Sequence, residues 1–263
     1  MNDDQDLQSF KARIGFDRLV DSGSPDVGVA ADWDGIREFL PSREAGWTQF
    51  SDDVDPPMAG IVMRQWVFRR GKANFSLRIY VSSVGPSAAR DRFLAAATTT
   101  SMMTIPYVRG PSHLGQVSVQ MPGEPLQSVL WVFHNVFVQL RDNSGISVEP
   151  IARALQGYME RHVTQNVSRY LPQFGKVNLS RNPVQVGQEV EVEVHPKDPA
   201  AMKRLRIGLS APPTELDLTR QSTTASTYEA LRPGKVEVEA TLADQNFLLV
   251  STTRVQVEIQ PKR

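Results

Sequence analysis

Apolar and polar side chains alternate along residues 59–82, which is the period of half-buried β-strands. Every second position of "ANFSLRIYVSS" is apolar, at Phe75, Leu77, Ile79 and Val81. The preceding "GIVMRQWVF" is rich in aromatic and β-branched residues, and "RRGK" between the two stretches has the composition of a turn. The pattern therefore predicts a β-hairpin.

A similar order of elements occurs twice. "WVFRRGKANFSLRIYVSSVGPSAARDRFLAA" begins at Trp66 and "WVFHNVFVQLRDNSGISVEPIARALQG" begins at Trp131. Each predicts a strand, a turn, a second strand, and a helix that opens with serine and proline. We therefore predict a ββα pseudo-repeat within an α+β domain over residues 32–170, an antiparallel sheet with helices on one face. Residues 1–31 are polar and small, and we predict a flexible N-terminal arm there.

Beyond residue 175 the helical pattern stops and short alternating strands follow. "EVEVEV" places Val190, Val192 and Val194 on one face, and later strand patterns have the spacing of a β-sandwich. "NPVQVGQEVEVEV" and "LRPGKVEVEATLADQN" resemble strands of bacterial immunoglobulin-like domains. The resemblance implies an all-β immunoglobulin-like sandwich over residues 176–263, of the kind that serves as a spacer, stalk or binding module on exported proteins. Residues 59–162 resemble, more distantly, uncharacterised domains of bacterial exported proteins, which offer no catalytic residues to carry over.

A polar pair interrupts the apolar run "WVFHNVFVQL" at His134 and Asn135. The pair could be a catalytic or ligand site, or the point where a strand turns. Comparison with the first hairpin places it where residues 69–73 turn, and asparagine tolerates the left-handed backbone of a tight turn. We therefore predict a hairpin tip with His134 facing solvent.

Composition excludes several classes of function. The chain has 29 Lys+Arg and 29 Asp+Glu, and this zero balance argues against a general nucleic-acid binder, which needs a basic face. The absence of cysteine excludes disulfides, thiolate catalysis and cysteine-based metal sites. No apolar run is long enough for a membrane span, and the acidic "MNDDQDLQSF" is not a signal peptide.

Two groups of residues are candidates for a reactive or metal-binding site. Ser112 and His113 lie side by side in "GPSHLG", and Asp52, Asp53 and Asp55 lie close together before the first hairpin. A nucleophile–base pair needs an orienting acid, and the acidic stretch lacks the glycine and distant glutamate of an EF-hand. Solvated loops are therefore favoured for both, and no catalytic residue, cofactor or metal site is predicted.

Aromatic residues of the two hairpins are the predicted binding residues. Trp66 and Phe68 share one face of their strand, as do Trp131 and Phe133. Packing in the core is the favoured interpretation. On a wetted sheet face, the same side chains would form a contact surface for a partner. Apolar residues point to both faces, so we expect cover on both sides, by the N-terminal arm or by another subunit.

The sequence favours a non-enzymatic binding or structural component of the bacterial cell envelope that recognises a protein or a surface glycan. The predicted location is periplasmic or extracellular, with a signal segment outside the given chain, and cytoplasmic as the alternative. One alternative function is an enzyme or accessory module of carbohydrate or peptide processing, with a site between the domains. Another is a cytosolic subunit of a secretion-type assembly. The sequence does not define the oligomeric state.

Overall fold

The structure is a computed structural model of the 263-residue chain and describes residues 3–17, 28–38, 46–99 and 105–262. Within the flexible arm predicted over residues 1–31, positions 1–2 and 18–27 lie outside these residues. The chain forms two compact units. The first comprises Met1–Tyr170 with Asn246–Leu248, and the second comprises Leu171–Gln245 with Leu249–Arg263.

The described part of the first unit contains three α-helices, seven strands and two short 3₁₀ helices, Trp33–Glu38 and Val167–Arg169. The helices are α1 (Asp3–Ile14), α2 (Pro86–Thr98) and α3 (Glu149–His162). The strands are β1 (Thr48–Val54), β2 (Ile61–Arg70), β3 (Ala73–Ser82), β4 (Val108–Arg109), β5 (Val117–Gln120), β6 (Ser128–Phe133) and β7 (Val136–Asp142).

The seven strands form one antiparallel sheet in the order β1-β2-β3-β7-β6-β5-β4. The alternation in β3 sets its two faces. Tyr80 and its neighbour Phe137 point to the face that we call the front, and Leu77 and Ile79 point to the back. Both sets are buried, so the sheet lies between two layers of cover.

The front face is covered by α1 and α2. Phe93 of α2 contacts Phe137 edge to face, with ring centroids 6.0 Å apart. Phe10 and Ile14 of α1 belong to the same buried cluster. The structure therefore corrects the flexible arm predicted over residues 1–31: part of it is a helix whose apolar residues join the core.

The back face is covered by α3. The side-chain oxygen of Gln156 accepts hydrogen bonds from the Trp131 indole N–H and from the Gly115 backbone N–H, each at 3.1 Å. The prediction that both faces of the sheet are covered is confirmed, and the N-terminal helix and α3 provide much of that cover.

The second unit consists of two four-stranded sheets, ordered β12-β13-β10-β8 and β11-β14-β15-β9. Side chains from both sheets form its core, including Val192, Tyr228, Val238 and Val257. The strands are β8 (Phe174–Leu179), β9 (Val184–Gln185), β10 (Glu189–Pro196), β11 (Leu205–Ser210), β12 (Leu216–Gln221), β13 (Ala225–Ala230), β14 (Gly234–Asp244) and β15 (Leu249–Gln260).

The predicted fold class, an α+β domain with a ββα pseudo-repeat followed by an immunoglobulin-like sandwich, is wrong. The described chain is mostly β and has three sheets. The repeat-like segments account for four strands of the first sheet, and β1, β4 and β5 extend it to seven. In the second unit, the parallel pairing of β9 with β15 helps set the topology. The spacing of predicted strands along the sequence does not show which strands pair with each other, because distant strands come together only when the chain folds.

Within the described residues, no helix combines the length and the apolar character needed to cross a membrane.

Candidate binding site

The four aromatic residues predicted to bind a partner all lie on the back face of the first sheet. Trp66 and Trp131 are 0% exposed and Phe68 is 4% exposed, while Phe133 is half-buried. Phe68 stacks on Phe75 at 4.9 Å between ring centroids. Their binding role stays a prediction, and in this chain the two tryptophans and Phe68 are core residues.

The polar pair of "WVFHNVFVQL" forms the predicted turn. Phe133 pairs with Val136 across it, and His134 has a φ of 54°. The turn prediction is confirmed, but the left-handed residue is His134 and not Asn135. Asn135 is 0% exposed. Its side chain accepts a hydrogen bond from the Val29 N–H at 2.6 Å and donates one to the Ser82 carbonyl at 2.8 Å, so it holds the segment around Val29 against the hairpin.

The acidic stretch is mainly part of a strand, not a loop. Asp52 lies in β1 and accepts hydrogen bonds from the Arg64 guanidinium at 2.7 and 2.9 Å. Asp34 approaches the same guanidinium to 2.8 Å. Burial disfavours the charged form of Arg64, but the hydrogen bonds and charges of the two carboxylates outweigh this effect, and the pKa of Arg64 is raised. Asp52 is therefore one partner of a largely buried ion pair with Arg64.

The candidate His113 lies at the surface, and a buried carboxylate of the second unit forms a structural pair. His113 is exposed in the loop before β5. Asp244 is buried and accepts a hydrogen bond from Arg204 at 2.7 Å. Among the residues that the structure describes, no group of three or more His, Asp or Glu side chains is placed to hold a metal ion.

A small apolar recess opens on the front face, and we call it the front pocket. Its volume is 160 Å³. The apolar part of its lining consists of Pro56, Met58, Ile61, Met63 and Tyr80. Asp55 and Arg92 complete the lining and carry opposite charges. A cavity of about 150 Å³ between apolar side chains holds one benzene molecule, so the front pocket has the size of one large apolar side chain.

A tight turn presents the exposed wall of the front pocket. Met58 and Ile61 exchange backbone hydrogen bonds at 2.9 and 3.0 Å around Ala59 and Gly60. Those two central residues have φ values of 49° and 77°, as a type I′ turn requires. Met58 is consequently 67% exposed. Val84, which is 65% exposed, packs so closely on this turn that a Cβ on Gly60 would lie 2.6 Å from its Cγ1.

The inner wall of the front pocket rests on stacked aromatic rings. Met63 and Tyr80 are cross-strand neighbours in β2 and β3. The Tyr80 ring stacks on Phe137 at 4.9 Å between centroids. The Arg92 guanidinium of α2 lies 5.2 Å from the Tyr80 centroid, within cation–π distance.

Sequence reasoning did not find the front pocket. Its residues come from the β1–β2 connection, from two strands and from α2, and only the folded sheet brings them together. The local signal was "MAG" at Met58, a large apolar residue before a small residue and a glycine at the start of a strand. That signal predicts a turn, but it does not show that the methionine remains exposed.

Comparisons with known proteins do not identify the chain. No protein-family model matches it, and no curated protein sequence matches it. Two solved structures of an endo-fucoidan hydrolase from glycoside hydrolase family 107 are similar at 8% identity over 83% of this chain, with a TM-score of 0.28. This chain spans 39% of the length of that enzyme. A likeness at this TM-score carries no argument about fold or activity.

Proposed function

We propose that this chain is a non-enzymatic binding component that holds a protein partner through the front pocket. The observation that carries the proposal is an apolar recess of 160 Å³ beside two exposed apolar side chains, Met58 at 67% and Val84 at 65% exposure. Protein interfaces concentrate their binding energy in a few anchor side chains seated in such recesses. Exposed apolar groups around a recess mark a surface that gains stability when it is covered.

The chemistry of the walls favours a protein partner over a glycan. Sugar hydroxyl groups lose hydrogen bonds to water on binding and need polar partners in return. The walls of the front pocket are mainly methyl, methylene and thioether groups, and Arg92 already covers one side of the Tyr80 ring. Methionine side chains adapt their shape to varied apolar partners, and two of them, Met58 and Met63, line the pocket.

Site-specific photocrosslinking in the cells that produce the protein tests this proposal. A benzophenone amino acid replaces Met58 in the full chain, and the same group at Leu218, which is 48% exposed in the second unit, is the control. We expect a discrete adduct with one protein from position 58 and not from position 218. Combining the Met58 replacement with Met63→Trp, which fills the pocket, is expected to abolish that adduct.

Equal adducts from both positions, or an adduct that persists in the filled variant, would contradict the proposal. The cell-envelope location remains a prediction from the sequence. Fractionation of the same cells, with the crosslinked chain followed beside a periplasmic and a cytoplasmic marker, tests it independently of the pocket.

A further inference from the structure

Two opposite charges, Asp55 and Arg92, line the front pocket, and no ion pair to either of them is found among the described residues, in contrast to five other arginines of the chain. Arg64, Arg153, Arg204, Arg220 and Arg254 each pair with a carboxylate. Within the described residues, the side-chain contact found for Arg92 is the Tyr80 ring, and Asp55 and Arg92 form no ion pair with each other. Asp55 is exposed and Arg92 is half-buried. The pocket thus has one unneutralised cation and one unneutralised anion beside its apolar walls.

A partner that fills the front pocket would displace water from Asp55 and Arg92, because both residues line it. Burying a charge without a partner costs more free energy than the burial of one apolar side chain contributes. A partner that fills the pocket must therefore offer a carboxylate to Arg92 and a cation to Asp55, or it must leave both charges in contact with water. The first arrangement also adds attraction, since the Tyr80 ring fixes the Arg92 guanidinium beside the pocket.

We propose that the partner's binding segment carries an apolar side chain between an acidic residue, which pairs with Arg92, and a basic residue, which pairs with Asp55. This inference rests on the proposed function of the front pocket and specifies its partner. In an extended segment, residues two positions apart point to the same side. The recognised pattern is therefore a charged residue, a spacer, a large apolar residue, a spacer and a residue of opposite charge.

The fold holds Asp55 and Arg92 in place, which suits the recognition of a fixed order of charges in the partner. The Asp55 backbone N–H donates to the Met63 carbonyl at 2.9 Å, so Asp55 is fixed next to a wall residue. Arg92 lies next to Phe93, which is 0% exposed in the core, so α2 cannot rotate Arg92 away without exposing a phenyl ring.

Fluorescence anisotropy with labelled, capped peptides tests the inference on the full chain. The probes are Glu-Ser-Leu-Ser-Lys and its reverse Lys-Ser-Leu-Ser-Glu, with Gln-Ser-Leu-Ser-Gln as the neutral reference. We expect one of the two charged orders to bind about fivefold to tenfold more tightly than the neutral peptide at low salt, with the advantage reduced in high salt. The variant Asp55→Lys/Arg92→Glu is expected to prefer the opposite order.

The matched control is Asp53→Lys/Arg90→Glu, which makes the same charge changes on β1 and α2 outside the pocket lining. We expect it to keep the original preference. If the neutral peptide binds as tightly as both charged ones, or if the control also reverses the preference, the inference is overturned while the pocket remains a binding site. If no leucine peptide binds, the proposed pocket function falls as well.

Discussion

At the residue scale, the Asn135 side chain is fully buried and joins two segments of the chain, whereas its neighbour His134 is half-buried in the turn. Replacing Asn135 by alanine leaves the buried Val29 N–H and Ser82 carbonyl without their side-chain partner. We expect the free energy of unfolding to fall by about 1–3 kcal/mol, the usual cost of unsatisfied buried polar groups. Urea unfolding followed by tryptophan emission measures this, because all four tryptophans lie in the first unit.

The control is His134→Gly in the same turn. Glycine adopts the φ of 54° without strain, so we expect less than half of the loss caused by Asn135→Ala. Equal losses for the two variants would show that the turn as a whole matters, and not the Asn135 side chain.

The turn beside the front pocket gives a second residue-scale prediction. Gly60→Ala places a Cβ 2.6 Å from Val84 Cγ1 at a φ of +77°, and we expect it to lower the free energy of unfolding by about 1–2 kcal/mol. Ala59→Gly in the same turn is expected to change it by less than about 0.5 kcal/mol, because its left-handed backbone suits glycine. The same urea titrations decide, and a larger loss for Ala59→Gly than for Gly60→Ala would contradict this account of the turn.

At the element scale, Arg64 connects three secondary-structure elements of the first unit. It projects from β2 and binds Asp52 of β1 and Asp34 of the 3₁₀ helix Trp33–Glu38. We expect Arg64→Met to cost about 2–3 kcal/mol, below the 3–5 kcal/mol typical of fully buried pairs, because the Asp34 side chain is 40% exposed.

Arg153→Met is the control for Arg64→Met. Arg153 pairs with Glu149 on the exposed surface of α3, and we expect a change within about 0.5 kcal/mol. Similar costs for Arg64→Met and Arg153→Met in the urea titration would show that the buried pair adds nothing beyond a surface pair.

Some secondary-structure elements of the first unit can be predicted from the sequence, and others cannot. Alternation places β2 and β3, and proline marks the start of α2 at Pro86. Hydrophobic periodicity does not predict β1, because its side chains are exposed or half-buried throughout. Its pairing with β2 also shifts register between Gln49 and Ser51. Asp52 consequently read as part of a solvated loop, although Arg64, its partner, lies 12 residues away. Pairings of this kind depend on sheet register, which hydrophobic periodicity does not encode.

At the scale of the whole molecule, the front pocket of the first unit is the surface that we propose accepts an apolar side chain from a partner. The second unit carries surface ion pairs on its strands, such as Arg254 with Glu237 and Arg220 with Glu189. Such pairs suit a solvated sheet surface. The proposed binding surface is the front pocket of the first unit, where exposed apolar side chains flank an apolar recess. The second unit also has a groove, but charged side chains such as Glu237, Glu239 and Arg254 line it.

The most direct test is a methyl NMR titration of the full chain with ¹³C-methyl methionine. Met58 and Met63 line the front pocket, while the buried Met159 of α3 and Met202 of the second unit serve as internal controls. On addition of the capped peptide Glu-Ser-Leu-Ser-Lys or its reverse, we expect saturable shifts of the Met58 and Met63 signals, with Met159 and Met202 unchanged. The peptides with alanine in place of leucine are expected to leave all four signals in place. Unmoved Met58 and Met63 signals at saturating concentrations of the leucine peptides, or shifts of equal size at Met202, would contradict the claim.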